Sequence, residues 1–223
     1  MLCRQFARFN ANGTRDGSFN PGAGANAVVW ALALQPDGKI LAAGDFTTFD
    51  ESPHGRIVRL NPDGSLDSSF KPGTGANAAI LALCVQTNGK LLLGGNFTIL
   101  NGAQRHRIAR LLPDGSLDPA FDPGDGPQGG LRALAVQRDG KILIGGTFTS
   151  VQSVLRSYVA RLNADGSLDQ TFDPGEGAAG GGLWRASLQS DGKVLVAGVF
   201  QSFNGIDCGR IARLHGGSVR PSK

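Results

Sequence analysis

The chain has 223 residues, a formal net charge of +4 and only 18% charged residues. That length allows a sizeable core. A nucleic-acid surface would need basic residues gathered on one face with aromatics among them, and the two Trp and one Tyr argue against it. No run reaches the 18 or more apolar residues of a membrane-spanning helix.

The opening, MLCRQFARFNANG, has no apolar stretch of the kind a signal peptide carries. It starts in the middle of a pattern that the rest of the chain repeats. Residues 4–27 hold Arg8, an Asn12-Gly13 turn, the run TRDGSF around Asp16 and the link NPGAG. The first full repeat begins near residue 28. ALALQ (31–35) is a short apolar run, Pro36-Asp37-Gly38 a turn, and KILAAGDF (39–46) a second apolar run. Asp-Gly between two apolar runs signals a hairpin, because both turn residues must tolerate positive φ. A variable loop follows, TTFDESPHG (47–55), then a third strand RIVRLN, a second turn at Asp63-Gly64, a short fourth strand SLDSSF and the link KPGTG.

The same order recurs three more times. Lys39, Lys90, Lys141 and Lys193 step by 51, 51 and 52 residues, and Phe46, Phe97, Phe148 and Phe200 keep pace. The second strands KLLLGGNF, KILIGGTF and KVLVAGVF are nearly continuous apolar runs, as expected of strands covered on both faces. Their central small residues mark close backbone approach or a bulge. Helical periodicity is absent. A repeat of this length implies units that bury their apolar faces on one another. Four short antiparallel strands per unit suit a β-propeller blade.

The expectation is an all-β single domain over residues 1–223, a propeller of about four 51-residue, four-stranded antiparallel blades. The repeats run at about 28–78, 79–130, 131–182 and 183–216, with 4–27 a partial repeat that completes the last blade by pairing the N- and C-terminal strands. The last repeat stops at RIARLHGGS without its fourth strand. The alternative is an open arc cut from a longer array, with edges that invite a partner chain, so the chain is expected as a monomer or an edge-paired homodimer.

The linked pattern QPDGKILxGGxF, a loop, then RIARLNxDGSLDxxFxPGxG resembles the bacterial delta-60 repeat, a β-propeller-like repeat, over about residues 4–216. The resemblance implies a propeller of large exported or cell-surface bacterial proteins. It supplies no catalytic residues, and on the reading of MLCRQFARFNANG no export signal is expected in residues 1–13.

Candidate sites follow from what the repeats share and what they do not. Four copies of the repeat arginine have an Asp eight residues on (Arg8/Asp16, Arg59/Asp67, Arg110/Asp118, Arg161/Asp169). A structural clasp is favoured over a ring of ligand-binding arginines, because binding sites are seldom copied into every repeat. The Asp-Gly turns lack the ligand spacing of a calcium loop. No HExxH or CxxC spacing occurs, so no metal and no cofactor is expected. Cys84 reads as a core residue. Cys3 and Cys208 hold equivalent positions and could be bridged only if the termini meet. Asp125 and Glu176, in equivalent links, are the one arrangement that suggests an enzyme, and Trp30 and Trp184 read as possible core. Loops on a rigid scaffold tend to carry binding, which makes Phe49, His54, His106, Arg156, Phe203 and Asp207 the ligand-binding candidates. The functional expectation is a non-catalytic scaffold or interaction module that binds a protein or glycan through one face. The alternative is a propeller-type, glycoside hydrolase-like carbohydrate-active enzyme.

Overall fold

The hairpin turns form where the sequence places them. Gly38, Gly89, Gly140 and Gly192 take φ between +80° and +83°, and each joins an inner strand to a middle strand. The computed structural model describes residues 6–215 and is all-β over that range. The inner strands are Val29–Leu34, Ile80–Val85, Leu131–Val136 and Leu183–Leu188. The middle strands are Ile40–Gly44, Leu91–Gly95, Ile142–Gly146 and Val194–Gly198. The outer strands are Ile57–Leu60, Ile108–Leu111, Val159–Leu162 and Ile211–Leu214. Each repeat thus makes one antiparallel three-stranded sheet in the order inner, middle, outer. These are sheets 1 to 4.

Consecutive sheets pack side by side through their inner and middle strands. The core lies between them. Leu41, Ala43 and Ile57 of sheet 1 pack with Ile80, Leu91 and Leu93 of sheet 2, and the same arrangement recurs at the next two junctions. This is how a sheet too small to stand alone is stabilised: sheets 2 and 3 have both faces packed against neighbours, and sheets 1 and 4 one face each.

Every inner strand carries a bulge near its start. The register slips between Val29 and Ala31, Ile80 and Ala82, Leu131 and Ala133, and Leu183 and Arg185. Trp30, Leu81, Arg132 and Trp184 are therefore the extra residues of equivalent bulges. The small residues opposite explain why a bulge fits there. A Cβ on Gly44, Gly95, Gly146 or Gly198 would lie 2.0–2.1 Å from the carbonyl oxygen of the residue just before the inner strand.

Three expectations change. The fourth strand is reduced to a single bridge per repeat (Leu60 with Leu66, Leu111 with Leu117, Leu162 with Leu168), because the Asp that follows turns the chain at once through its own side chain. The variable loop is instead a two-stranded hairpin, such as Thr48–Phe49 with Ser52–Pro53. Its two turn residues both have positive φ: Asp50 and Glu51, Asn101 and Gly102, Gln152 and Ser153, Asn204 and Gly205. Finally, the described N-terminal segment does not pair with the last sheet. Phe6 and Phe19 pack with Phe46 and Phe49, Arg8 donates to the Pro62 carbonyl, and the Asn20 N–H donates to the Asp63 carbonyl. Segment 6–27 lies on sheet 1 as each repeat's tail lies on the next sheet. Cys3 lies outside the described residues, and with it the proposed bridge to Cys208.

Candidate functional site

The Arg-Asp pairs are built as clasps. Asp118 Oδ2 accepts from Arg110 Nε at 2.6 Å and from Lys90 Nζ at 2.9 Å. Asp118 Oδ1 accepts the Ala120 N–H. The Arg110 guanidinium stacks on Phe121 at 4.8 Å and donates to the Ala164 carbonyl of the next repeat. Asp67 with Arg59 and Lys39, and Asp169 with Arg161 and Lys141, repeat the triad. Burial alone would raise the Asp118 carboxyl, but the hydrogen bonds from Lys90, Arg110 and the Ala120 N–H outweigh it and hold the pKa at about 2. Arg59, Arg110 and Arg161 are buried and have no surface to offer a ligand. Arg59 and Arg110 staple one repeat to the next through the Pro113 and Ala164 carbonyls.

The turn aspartates are likewise consumed locally. Asp63, Asp114 and Asp165 each accept the N–H and hydroxyl of the Ser two residues on. Among the described residues, no group of three His, Cys, Asp or Glu side chains could hold a metal ion.

The loop candidates do not form one site. Phe49 and Phe203 are buried, each packed edge-on against another core ring. His54 is half-buried, and that burial lowers its pKa. His106 is half-buried beside Gly126, at a point where a Cβ on that glycine would lie 2.3 Å from the His106 carbonyl. Arg156 folds back, with Nη1 donating to the Leu155 carbonyl. Asp207 is exposed at the end of the last small hairpin. The hairpins themselves serve the fold: the first turn residue reaches back to the preceding Pro-Gly link, with Asp50 accepting the Ala23 N–H, Asn101 the Gly75 N–H and Asn204 the Gly177 N–H. Asp125 and Glu176 are exposed on their links.

A different place gathers unshared residues. The four bulges point their extra residues to a common centre, where Trp30, Leu81, Arg132, Trp184 and Arg185 line one cavity. Adjoining it, the inner strands line a second cavity that includes Ala31, Leu32, Leu83, Ala133 and Ala186. Leu81 is buried, but both tryptophans are about half exposed. Trp30 is oriented by its Nε1, which donates to Asp45 Oδ2 at 2.7 Å. The Arg132 guanidinium sits 5.9 Å from the Trp184 ring centroid, within reach of a cation–π contact. The mouth thus offers two flat apolar faces beside two cations. Sequence reading treated the tryptophans as possible core and passed over Arg132 and Arg185. The available signal was that the bulge position changes residue class (Trp, Leu, Arg, Trp) while its neighbours stay small or aliphatic in the first three repeats.

Comparisons with known proteins agree with this architecture. The family model described as "Domain of unknown function (DUF5122) beta-propeller" matches residues 35–70, 86–121, 137–172 and 189–216. Among solved structures, the WD40 beta propeller domain of Doa1 aligns with a TM-score of 0.57 at 16% identity, covering 84% of this chain and 50% of that one. The extracellular domain of the putative one component system BT4673 from B. thetaiotaomicron aligns with a TM-score of 0.54 at 10% identity, covering 90% of this chain and 23% of that one. The chain therefore spans half or less of the length of these two structures, and at such identities the likeness is one of fold. No curated protein matches the chain in sequence. The four matched stretches follow the repeats and take in more than half of the chain, which belongs to this DUF5122 β-propeller family.

Proposed function

We propose that the chain is a non-catalytic binding module that takes an anionic glycan at the cavity mouth. One observation carries this reading: Trp30, Arg132 and Trp184 stand at equivalent bulges and line one cavity with both tryptophans about half exposed, whereas the repeated arginines Arg59, Arg110 and Arg161 are buried in clasps. Indole faces stack on the apolar faces of sugar rings. Guanidinium groups recognise carboxylates by paired hydrogen bonds. Together they favour a sugar chain that carries uronic acids over a neutral one. The four sheets act as blades of a rigid scaffold, and the small hairpins stiffen its rim.

Calorimetric titration with uronate-containing and neutral oligosaccharides tests the proposal. Arg132→Ala should weaken uronate binding about tenfold, roughly 1.4 kcal/mol, while leaving neutral sugars unchanged. An absence of binding to either, or binding indifferent to both Arg132→Ala and Trp184→Ala, sinks it. If acidic peptides bind and the same variants lose them, the site stands but its ligand is a protein. The hydrolase alternative rests on Asp125 and Glu176, which stay on exposed links away from the mouth. Glycoside turnover that vanishes in Glu176→Gln would restore it. An exported or cell-surface setting, supported by the delta-60 resemblance, belongs to the same proposal. Cell fractionation that finds the protein only in the cytosol would remove it.

A further inference from the structure

Among the described residues, two apolar sheet faces are left open, and they are the two halves of one contact. At each junction the rear of one sheet meets the front of the next. The rear residues are Leu41, Ala43 and Ile57 in sheet 1, and the front residues include Leu83 and Val85 in sheet 2. Leu143 and Val159 of sheet 3 meet Ala186 and Leu188 of sheet 4 in the same way. The rear of sheet 4 has Leu195, Ala197 and Ile211 in these places, and Ile211 is 55% exposed where Ile57, Ile108 and Val159 are 0%. The front of sheet 1 has Leu32 and Leu34 where Leu83 and Val85 are packed, and they are 59% and 72% exposed. No described core cluster joins sheet 1 to sheet 4.

The charges divide in the same way. In sheets 1 to 3 the lysine reaches the clasp aspartate at 2.8–2.9 Å. In sheet 4, Lys193 pairs only with its neighbour Asp191 among the described residues, Arg213 is exposed, and Pro221 stands eight residues on, where the other repeats have Asp. Segment 6–27 has the converse. Asp16 is held by Arg8 at 2.7 Å with no described lysine partner, and Phe19 stacks under Arg8 as Phe70 does under Arg59. One end has the lysine without its aspartate, and the other has the aspartate without its lysine.

We infer that a second copy of this chain docks head to tail, the front of its sheet 1, with segment 6–27 already seated, covering the rear of sheet 4. Leu32 and Leu34 of the incoming copy cover Leu195 and Ala197, and its Asp16 completes the clasp with Lys193. Its Phe6–Phe9 run takes the edge of Val194–Gly198 that Ile211–Leu214 occupies in the single chain, since both are outer-strand segments. The contact is heterologous, because each copy brings one face of each kind.

Analytical ultracentrifugation of the full chain tests this. The wild type should assemble, and Leu34→Glu, a change at an exposed position, should be monomeric with an unchanged far-UV spectrum. Lys193→Glu should weaken assembly at least severalfold, with the loss shrinking at high salt, as expected of a charge contact. Ala212→Pro, which weakens the strand to be displaced, should assemble at least as tightly as wild type. A wild type that is monomeric at every concentration overturns the inference, including the case in which Leu32 and Leu34 are protected from hydrogen exchange by closure within one chain. Assembly that survives Leu34→Glu overturns it in favour of edge-to-edge pairing. A folded Ala212→Pro that fails to assemble overturns the strand exchange.

Discussion

Asp118 shows how one residue type can look functional and be structural. A carboxylate repeated with an arginine in every unit has the composition of a binding ring, but at 2% exposure with two cations and a backbone N–H on it, it is fully occupied. Removing it leaves Arg110 buried without its counter-charge, which typically costs about 3 kcal/mol or more. We expect Asp118→Ala and Arg110→Ala to destabilise by similar amounts, and the double variant by much less than their sum. Additive losses in chemical denaturation would show that the two act separately. The acid response follows from the same geometry. The folded pKa of about 2 lies below the ordinary 3.8, so the stabilisation is complete above the ordinary value and is lost as pH falls toward about 2. Asp67 and Asp169, also lowered by their Lys and Arg partners against the opposing effect of burial, add to it. Melting temperature should therefore fall steeply below about pH 4 in the wild type and less steeply in Asp118→Asn. Equal slopes would assign the acid lability elsewhere. Glu51 and Ser153 carry a different strain. Both sit at positive φ, +62° and +63°, where the equivalent Gly102 and Gly205 pay nothing for a side chain. Glu51→Gly should raise stability by about 1 kcal/mol, a shift of about 2–4 °C in melting temperature.

At the scale of elements, the inner-to-middle hairpins were legible because Asp-Gly and Asn-Gly dictate a turn whatever surrounds them. The outer strands were legible from RIARL and its variants. The small hairpins were legible only in part: Asn101-Gly102 and Asn204-Gly205 carry the same Asn-Gly signal, whereas Glu51 and Gln152-Ser153 do not, and there the turn residues hold positive φ through their own tertiary bonds: Asp50 takes the Ala23 N–H, and Gln152 takes the Leu168 N–H while donating to the Gly166 carbonyl. The fourth strand was overread for the opposite reason. SLDxxF alternates like a strand, but Asp67, Asp118 and Asp169 each bond the N–H two residues on, and this Asx turn ends the pairing after one bridge. The bulge was half visible, since the paired small residues announced a close approach without saying what was pushed out toward the centre. Its requirement is testable: a Cβ on Gly95 would lie 2.1 Å from the Ala79 carbonyl. Gly95→Ala should cost about 2–4 kcal/mol, in the range of steric insertions into packed sites. A neutral result by thermal denaturation would mean that the bulge can relax.

For the whole molecule, the repeat period identified the propeller class, but closure could not be read from it. Whether the first and last sheets meet depends on small rotations summed over the repeats, and no residue encodes that sum. The candidate site depends on the same global property, because Trp30 and Trp184 belong to the first and last inner strands and share a cavity only through the curvature between them. Sequence reading placed binding on the small hairpins, whereas the geometry gathers the unshared aromatic and cationic residues at the cavity mouth. Residues that build the blades are thereby separated from residues proposed to face a ligand. The most direct test of that separation compares the affinity of a uronate oligosaccharide for wild type, Trp184→Ala and the rim variant Leu155→Ala, all shown to be folded by their melting temperatures. Trp184→Ala should lose at least tenfold in affinity, roughly 1.4 kcal/mol, while Leu155→Ala, on an exposed hairpin, should bind as wild type. Loss in Leu155→Ala with retention in Trp184→Ala would contradict the separation and return the site to the hairpins.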